Sequence, residues 1–231
     1  MSAAAAYGNS NGGGTFARAN NRFNTYHPVM RRDLPDGRPF SGLPYWYWLG
    51  GRPALDFVNT RRERWRRDVE CLLSVEEVIV WLVRARLLPQ PMKAPASVLA
   101  EARELREAID AGVRAAVERR TPDPAAVALI DDWLALAGSR PALLTDQTGR
   151  PVLSERPRAD SPRRALGMVA YDAARMLGTE SERSRVRICG SDTCSSRFYD
   201  RSPAAARRWC SMALCGNQAK ARRFRERASV L

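Results

Sequence analysis

Histidine is all but absent from this chain. His27 is the only one in 231 residues, and it lies in a stretch with no apolar periodicity. Acid–base catalysis in a folded part would therefore rest on carboxylates, and these look like ordinary helix-surface charges with no nucleophile beside them. A Gly-rich phosphate loop is missing as well. An enzyme is the least favoured class. Long apolar runs are equally scarce: the longest, Val78 to Val83, stops at Arg84, well short of the roughly 20 residues needed to span a bilayer. The opening MSAAAAYGNSNGGG has neither the basic start nor the apolar centre of a secretion signal. The expectation is a cytoplasmic protein with no membrane association.

Five cysteines are present, too unevenly spread for a disulfide framework in a reducing compartment. Cys71 stands alone in an apolar helical neighbourhood and reads as a small buried hydrophobe. The other four form two C-x4-C pairs, Cys189 with Cys194 and Cys210 with Cys215. The segment around them has too few apolar residues for a core, and units of roughly 40 residues usually need a metal or disulfides to fold. Four sulfur ligands in two pairs suit one tetrahedral Zn2+ per chain. An iron–sulfur cluster or four unligated thiols would also fit. Zinc is favoured, because pairing, charge and the small core point the same way. A full set of four cysteine ligands leaves no open position, so the zinc is expected to be structural.

Acidic residues also run short at this end. The chain carries a net charge of +13, and residues 183–227 hold twelve basic groups against three acidic ones. Four thiolates with one divalent ion would remove two charges and leave about +7 there. Such a patch points to phosphate. The candidate contacts are Arg207 and Arg208 before Cys210, then Lys220, Arg222, Arg223, Arg225 and Arg227 on a helix after Cys215. Asn217 is the expected cap of that helix and Gln218 follows it. Ala221, Phe224 and Ala228 share one side, expected to dock on the preceding hairpin and turn the arginines outward. A second basic run, RRERWRR at 61–67, reads as a solvated arginine-rich surface.

The fold class is mainly α, with three parts. Residues 1–42, rich in Asn, Gly and Pro, read as a flexible tail. Residues 43–182 read as a helical domain. Its aromatic entry, PYWYWLGG, is either a strand or a clamp. Ser74 with Glu77 is a capping-box pattern opening a helix with Val75, Val78, Ile79, Leu82, Val83 and Leu87 on one face. A longer helix follows Ser97, a third runs from Asp123 with Val127, Ile130, Leu134 and Ala137 inward to Gly138, and a fourth runs from Ser161 to Gly178. Residues 142–155 break the pattern as a hairpin or ordered loop. Residues 183–231 form the zinc module: VRIC and CSSRFYD as a hairpin, then PAAARRWCSMALC and GNQAKARRFRER as one or two helices. Asp56 and Asn59 in ALDFVNT are a polar pair that either turns the chain or lines a small-molecule pocket.

CGSDTCSSRFYD, RRWCSM and CGNQAKARR together closely resemble the CGNR zinc finger, a bacterial four-cysteine module. Upstream, PALDFVNT and LREAI at 105–109 resemble the ABATE domain that accompanies this finger in proteins described as stress-induced transcriptional regulators. The resemblance covers about residues 50–227. It implies that Cys189, Cys194, Cys210 and Cys215 hold zinc and that the module binds DNA, most naturally duplex DNA. The helical domain would then take a small-molecule ligand or a protein partner. RNA binding, or an adaptor role on an acidic protein partner, are the alternatives. One position departs: Gln218 stands where the family name has arginine, so a role specific to that arginine is not carried over.

Overall fold

The computed structural model describes residues 46–138, 142–154 and 159–228. The expected tail at 1–42 lies outside them. The described chain is mainly helical, with three separate two-stranded hairpins.

The aromatic entry is a clamp rather than a strand. Trp46 donates to the Cys71 carbonyl at 3.1 Å, and Trp48 stacks on Trp81 with ring centroids 5.6 Å apart. The chain then turns at Gly50, where a Cβ would lie 2.7 Å from the Asp56 nitrogen. Short helix α1, Pro53–Val58, follows. Its start is anchored on Asp172, which accepts from Arg52 Nη2 at 2.7 Å and from the Ala54 nitrogen at 3.0 Å. A tight hairpin comes next, β1 Arg61–Arg62 paired with β2 Val69–Glu70.

Helix α2, Val75–Arg84, begins with the expected capping box: Ser74 Oγ accepts from the Glu77 nitrogen and the Glu77 carboxylate accepts from the Ser74 nitrogen. Helices α3 (Ser97–Val117), α4 (Pro124–Leu134) and α5 (Pro162–Gly178) form the centre of the core. Val98, Ala102, Leu105, Ile109 and Val113 are fully buried on α3, as are Leu166, Val169, Ala170 and Ala173 on α5. Helix α4 is shorter than its periodicity suggested and differently rotated. It ends at Leu134, and Val127, expected inward, is 48% exposed because Ala126, Ile130 and Trp133 face the core instead. Residues 142–154 do form a hairpin, β3 (Ala142–Thr145) with β4 (Pro151–Ser154).

After the single turn α6, Glu180–Arg183, strands β5 (Val186–Ile188) and β6 (Arg197–Tyr199) pair antiparallel as expected. The next segment corrects the sequence reading: residues 203–210 are not helical. The buried Asp200 carboxylate accepts from Ser202 nitrogen, Ser202 Oγ and Arg207 nitrogen at 2.7–2.9 Å. A side chain that gathers local donors in this way offers the backbone an alternative to a helix. Helical geometry starts after Ser211, whose Oγ accepts from the Leu214 nitrogen. A π-helical turn, Met212–Gly216, leads directly into α7, Asn217–Ala228. Asn217 is thus the first residue of α7 and lies within continuous helix; Ser211 is the cap.

Candidate metal centre and nucleic-acid interface

The four clustered cysteines converge from three places: the end of β5 (Cys189), the loop before β6 (Cys194), and the two ends of the Ser211 cap and π-turn (Cys210 and Cys215). Their sulfurs all lie within 4.8 Å of one another. The separations of Cys194 from Cys210 and of Cys210 from Cys215 are 3.8 and 3.7 Å. A tetrahedron with metal–sulfur bonds of about 2.3 Å has edges of about 3.8 Å, so the spacing is that of a zinc site. The turn is tight around it. A Cβ on Gly216 would lie 2.7 Å from Met212 Sδ and 3.2 Å from the Trp209 ring.

Electrostatics lead to the same ion. Four thiols this close cannot ionise together unaided. The neighbouring thiols of Cys189, Cys210 and Cys215 hold Cys194 far below the usual thiol range, while Cys189, Cys194 and Cys215 push Cys210 far above it. A divalent cation removes that conflict and allows all four to bind as thiolates. Cys71 is the contrast. Burial, as the largest cause, pushes its thiol up to about 11, and it remains the buried small hydrophobe expected from the sequence.

The zinc module is not a bead on a linker. Val186 of β5 belongs to the main core, whereas Cys189, Phe198, Cys210 and Cys215 form a small cluster of their own. Asn59 pairs with the Arg197 backbone on β6 like a strand neighbour, donating to its carbonyl at 2.9 Å and accepting from its nitrogen at 2.8 Å. The Arg197 side chain is 2% exposed and forks onto Asp110 of α3, with Nε–Oδ1 at 2.6 Å and Nη2–Oδ2 at 3.2 Å. Tyr199 nitrogen donates to the Gly50 carbonyl at 2.8 Å. Of the watched polar pair, then, Asp56 turns the chain by accepting from Gly50 nitrogen at 2.8 Å, and Asn59 docks the zinc module. Arg197 and Asp110 escaped the sequence reading, since nothing local links residues 87 positions apart.

The basic residues divide by what holds them. Arg207 Nη2 donates to the Trp209 and Cys210 carbonyls at 3.3 and 2.8 Å, so it braces the metal loop while its edge stays exposed. Arg208 lies over the Trp209 ring at 5.1 Å. Arg222 pairs with Asp192 and Glu226. Lys220, Arg223, Arg225 and Arg227 are exposed on α7, with no ion pair among the described residues. Asn217 and Gln218 are also exposed at its start. The expected apolar side of α7 is corrected: only Ala219 is buried on this helix, while Ala221 and Ala228 are exposed and Phe224 is 75% exposed. Helix α7 buries only its first turn, Arg222 adds the ion pair to Asp192, and the rest is exposed.

A family model for the ABATE domain, described as "Putative stress-induced transcription regulator", matches residues 51–180, more than half of the chain. The chain belongs to the ABATE family. The CGNR zinc finger model matches residues 185–228, and with the four-sulfur cluster it supports one structural zinc ion. Together the ABATE domain and the CGNR finger describe a zinc-binding regulator. No curated protein matches the chain. The ABATE domain also carries a mainly apolar cavity of about 660 Å³ between α3, α4 and α5, lined by residues such as Ala126, Ile130 and Leu177 together with Arg119, Arg120, Asp131 and Arg183. No helix among the described residues is long and apolar enough to cross a membrane.

Proposed function

We propose that this protein is a transcription regulator that binds duplex DNA through its CGNR finger, with zinc on Cys189, Cys194, Cys210 and Cys215 holding the finger's shape. The supporting observation is α7: a helix fixed at one end to the metal turn, whose exposed part carries Lys220, Arg223, Arg225 and Arg227 with no ion pair among the described residues. Arg208 and Arg222 widen the surface, and Arg207 adds an exposed edge to it. Cations that neutralise phosphates release the counterions condensed on the DNA, and that term dominates non-specific affinity. Gln218, exposed in the first turn of α7, offers its carboxamide to a phosphate or a base edge. Residues 43–182 are the regulatory unit and residues 183–231 the binding unit. The apolar cavity between α3, α4 and α5 is where a small ligand of the regulatory unit would lodge.

Competition decides the reading. With zinc-loaded full-length protein on a labelled DNA duplex at fixed salt, unlabelled duplex should displace the probe more effectively than RNA of equal length. Arg222→Ala/Arg223→Ala/Arg225→Ala should lose most of the affinity. Preference for RNA would assign the surface to RNA, and no binding to either would favour an acidic protein partner.

A further inference from the structure

The finger does not present its surface alone. The RRERWRR run, expected to be a plain solvated face, is the turn of the β1–β2 hairpin and stands beside the finger. Trp65 Nε1 donates to the Asp192 carbonyl at 3.3 Å, and the Asp192 carboxylate pairs with Arg222 of α7. The Trp65 ring also lies 5.5 Å from the Arg197 guanidinium. Between this turn and the finger lies an open cleft of about 510 Å³. Arg61, Arg66 and Arg67 line one wall with Glu63; Thr193, Ser196 and Gln218 line the other, beside the metal ligands Cys194, Cys210 and Cys215.

The arginines of this wall are preorganised. Glu63 and Asp68 adopt positive φ, 49° and 52°, and the Glu63 carbonyl accepts from the Arg66 and Asp68 nitrogens at 2.8 and 3.0 Å. Arg61 is braced by Asp68 at 2.7 and 2.8 Å, and Arg67 by Glu63. Arg66 is exposed, with no ion pair among the described residues. Arg64 pairs with Glu107 instead, but Arg61, Arg62, Arg66 and Arg67 line the cleft against the Glu63 and Asp68 carboxylates that brace two of them, so the wall stays positive after the internal pairs form. The opposite wall supplies hydroxyls and a carboxamide, groups that donate to phosphate oxygens.

We propose that this cleft holds the sugar–phosphate backbone of one DNA strand, so that the DNA-binding surface is shared between the ABATE hairpin turn and the finger, with Arg66 as a phosphate contact. The proposal rests on the DNA-binding reading above. It explains why the finger is locked to the ABATE domain by Asn59 and by Arg197–Asp110: a surface made from two parts works only if they keep their register. It also gives the ABATE domain a direct route to DNA affinity, because any shift of the β1–β2 turn opens or closes half of the phosphate site.

The test compares salt dependence of duplex binding for the zinc-loaded full chain, three single variants and the Arg222→Ala/Arg223→Ala/Arg225→Ala variant. Arg66→Ala should reduce the magnitude of the slope of log K against log salt by about 0.9, the value for one phosphate on B-DNA. Arg66→Lys keeps the charge and should keep the slope. Arg150→Ala, at the tip of the β3–β4 hairpin, removes the same charge outside the cleft and should leave the slope unchanged. An unchanged slope in Arg66→Ala, with a flattened one in the α7 triple variant, would overturn the shared surface and leave the DNA-binding reading intact. Equal losses in Arg66→Ala and Arg150→Ala would overturn it as an effect of bulk charge. No duplex binding by the unaltered chain would overturn both.

Discussion

Asp110 is the buried charge at which the helical part of the molecule grips the finger, beside the contacts of Asn59 and Gly50. It is 4% exposed and takes Arg197 from the finger, while Arg64 and Arg114 approach it at 3.5 and 3.4 Å. Removing one partner of such a buried pair leaves an uncompensated charge and typically costs about 3–5 kcal/mol, whereas replacing both with apolar groups can be nearly neutral. Asp110→Ala should therefore lower stability by about that amount in urea unfolding of the zinc-loaded chain. Asp110→Leu/Arg197→Met should recover part of it. At the metal, Cys215→Ser should lose bound zinc by elemental analysis and Cys71→Ser should keep one ion per chain. Full zinc in Cys215→Ser would contradict the ligand set. These cysteines were legible in the sequence because their type and pairing declare a shared chemistry. Asp110 and Arg197 were not: each is an ordinary charged residue, and only the fold brings them together.

Elements that owe their form to local chemistry were the ones the sequence revealed. Helix α2 has its capping box and α5 its Ser161 cap and first-turn proline. Helix α1 has a first-turn proline but only six residues and no side-chain cap; it is held by Asp172, 118 positions away, so its local pattern is too short to mark it. The outer face of α7 misled for a related reason. Periodicity implies a buried stripe only if something covers it, and this helix is docked by its first turn. The β2–α3 contact carries a pH consequence. Burial works against ionisation of Glu70, but Arg106 donates to both of its oxygens at 2.6 Å and holds its carboxyl below the ordinary range. The same balance, with Arg64 as the main donor, keeps Glu107 low. A depressed carboxylate contributes stability that is present above its unfolded pKa, about 4.3, and is lost as pH falls through the folded value. The melting temperature should therefore fall as pH drops below about 4.3, and Glu70→Gln should melt lower at neutral pH with a shallower dependence on acid.

For the whole molecule, the division into a balanced helical part and a strongly basic cysteine-rich end was readable from composition, since charge and cysteine content both change near residue 183. How the parts join was not. Tandem contacts at Asn59, Asp110 and Gly50 make the finger an extension of the helical core, and the metal then shapes only what lies beyond β5. Zinc removal should accordingly leave most of the helical signal in circular dichroism while abolishing DNA binding.

The central claim is that DNA affinity arises from the basic surface of the zinc finger, and the salt dependence of duplex binding measures it most directly. If roughly four to six basic side chains neutralise phosphates, log K against log salt should have a slope of about −4 to −5, and the Arg222→Ala/Arg223→Ala/Arg225→Ala variant, zinc-loaded and folded, should flatten it. A slope in the variant equal to that of the unaltered chain would contradict the account.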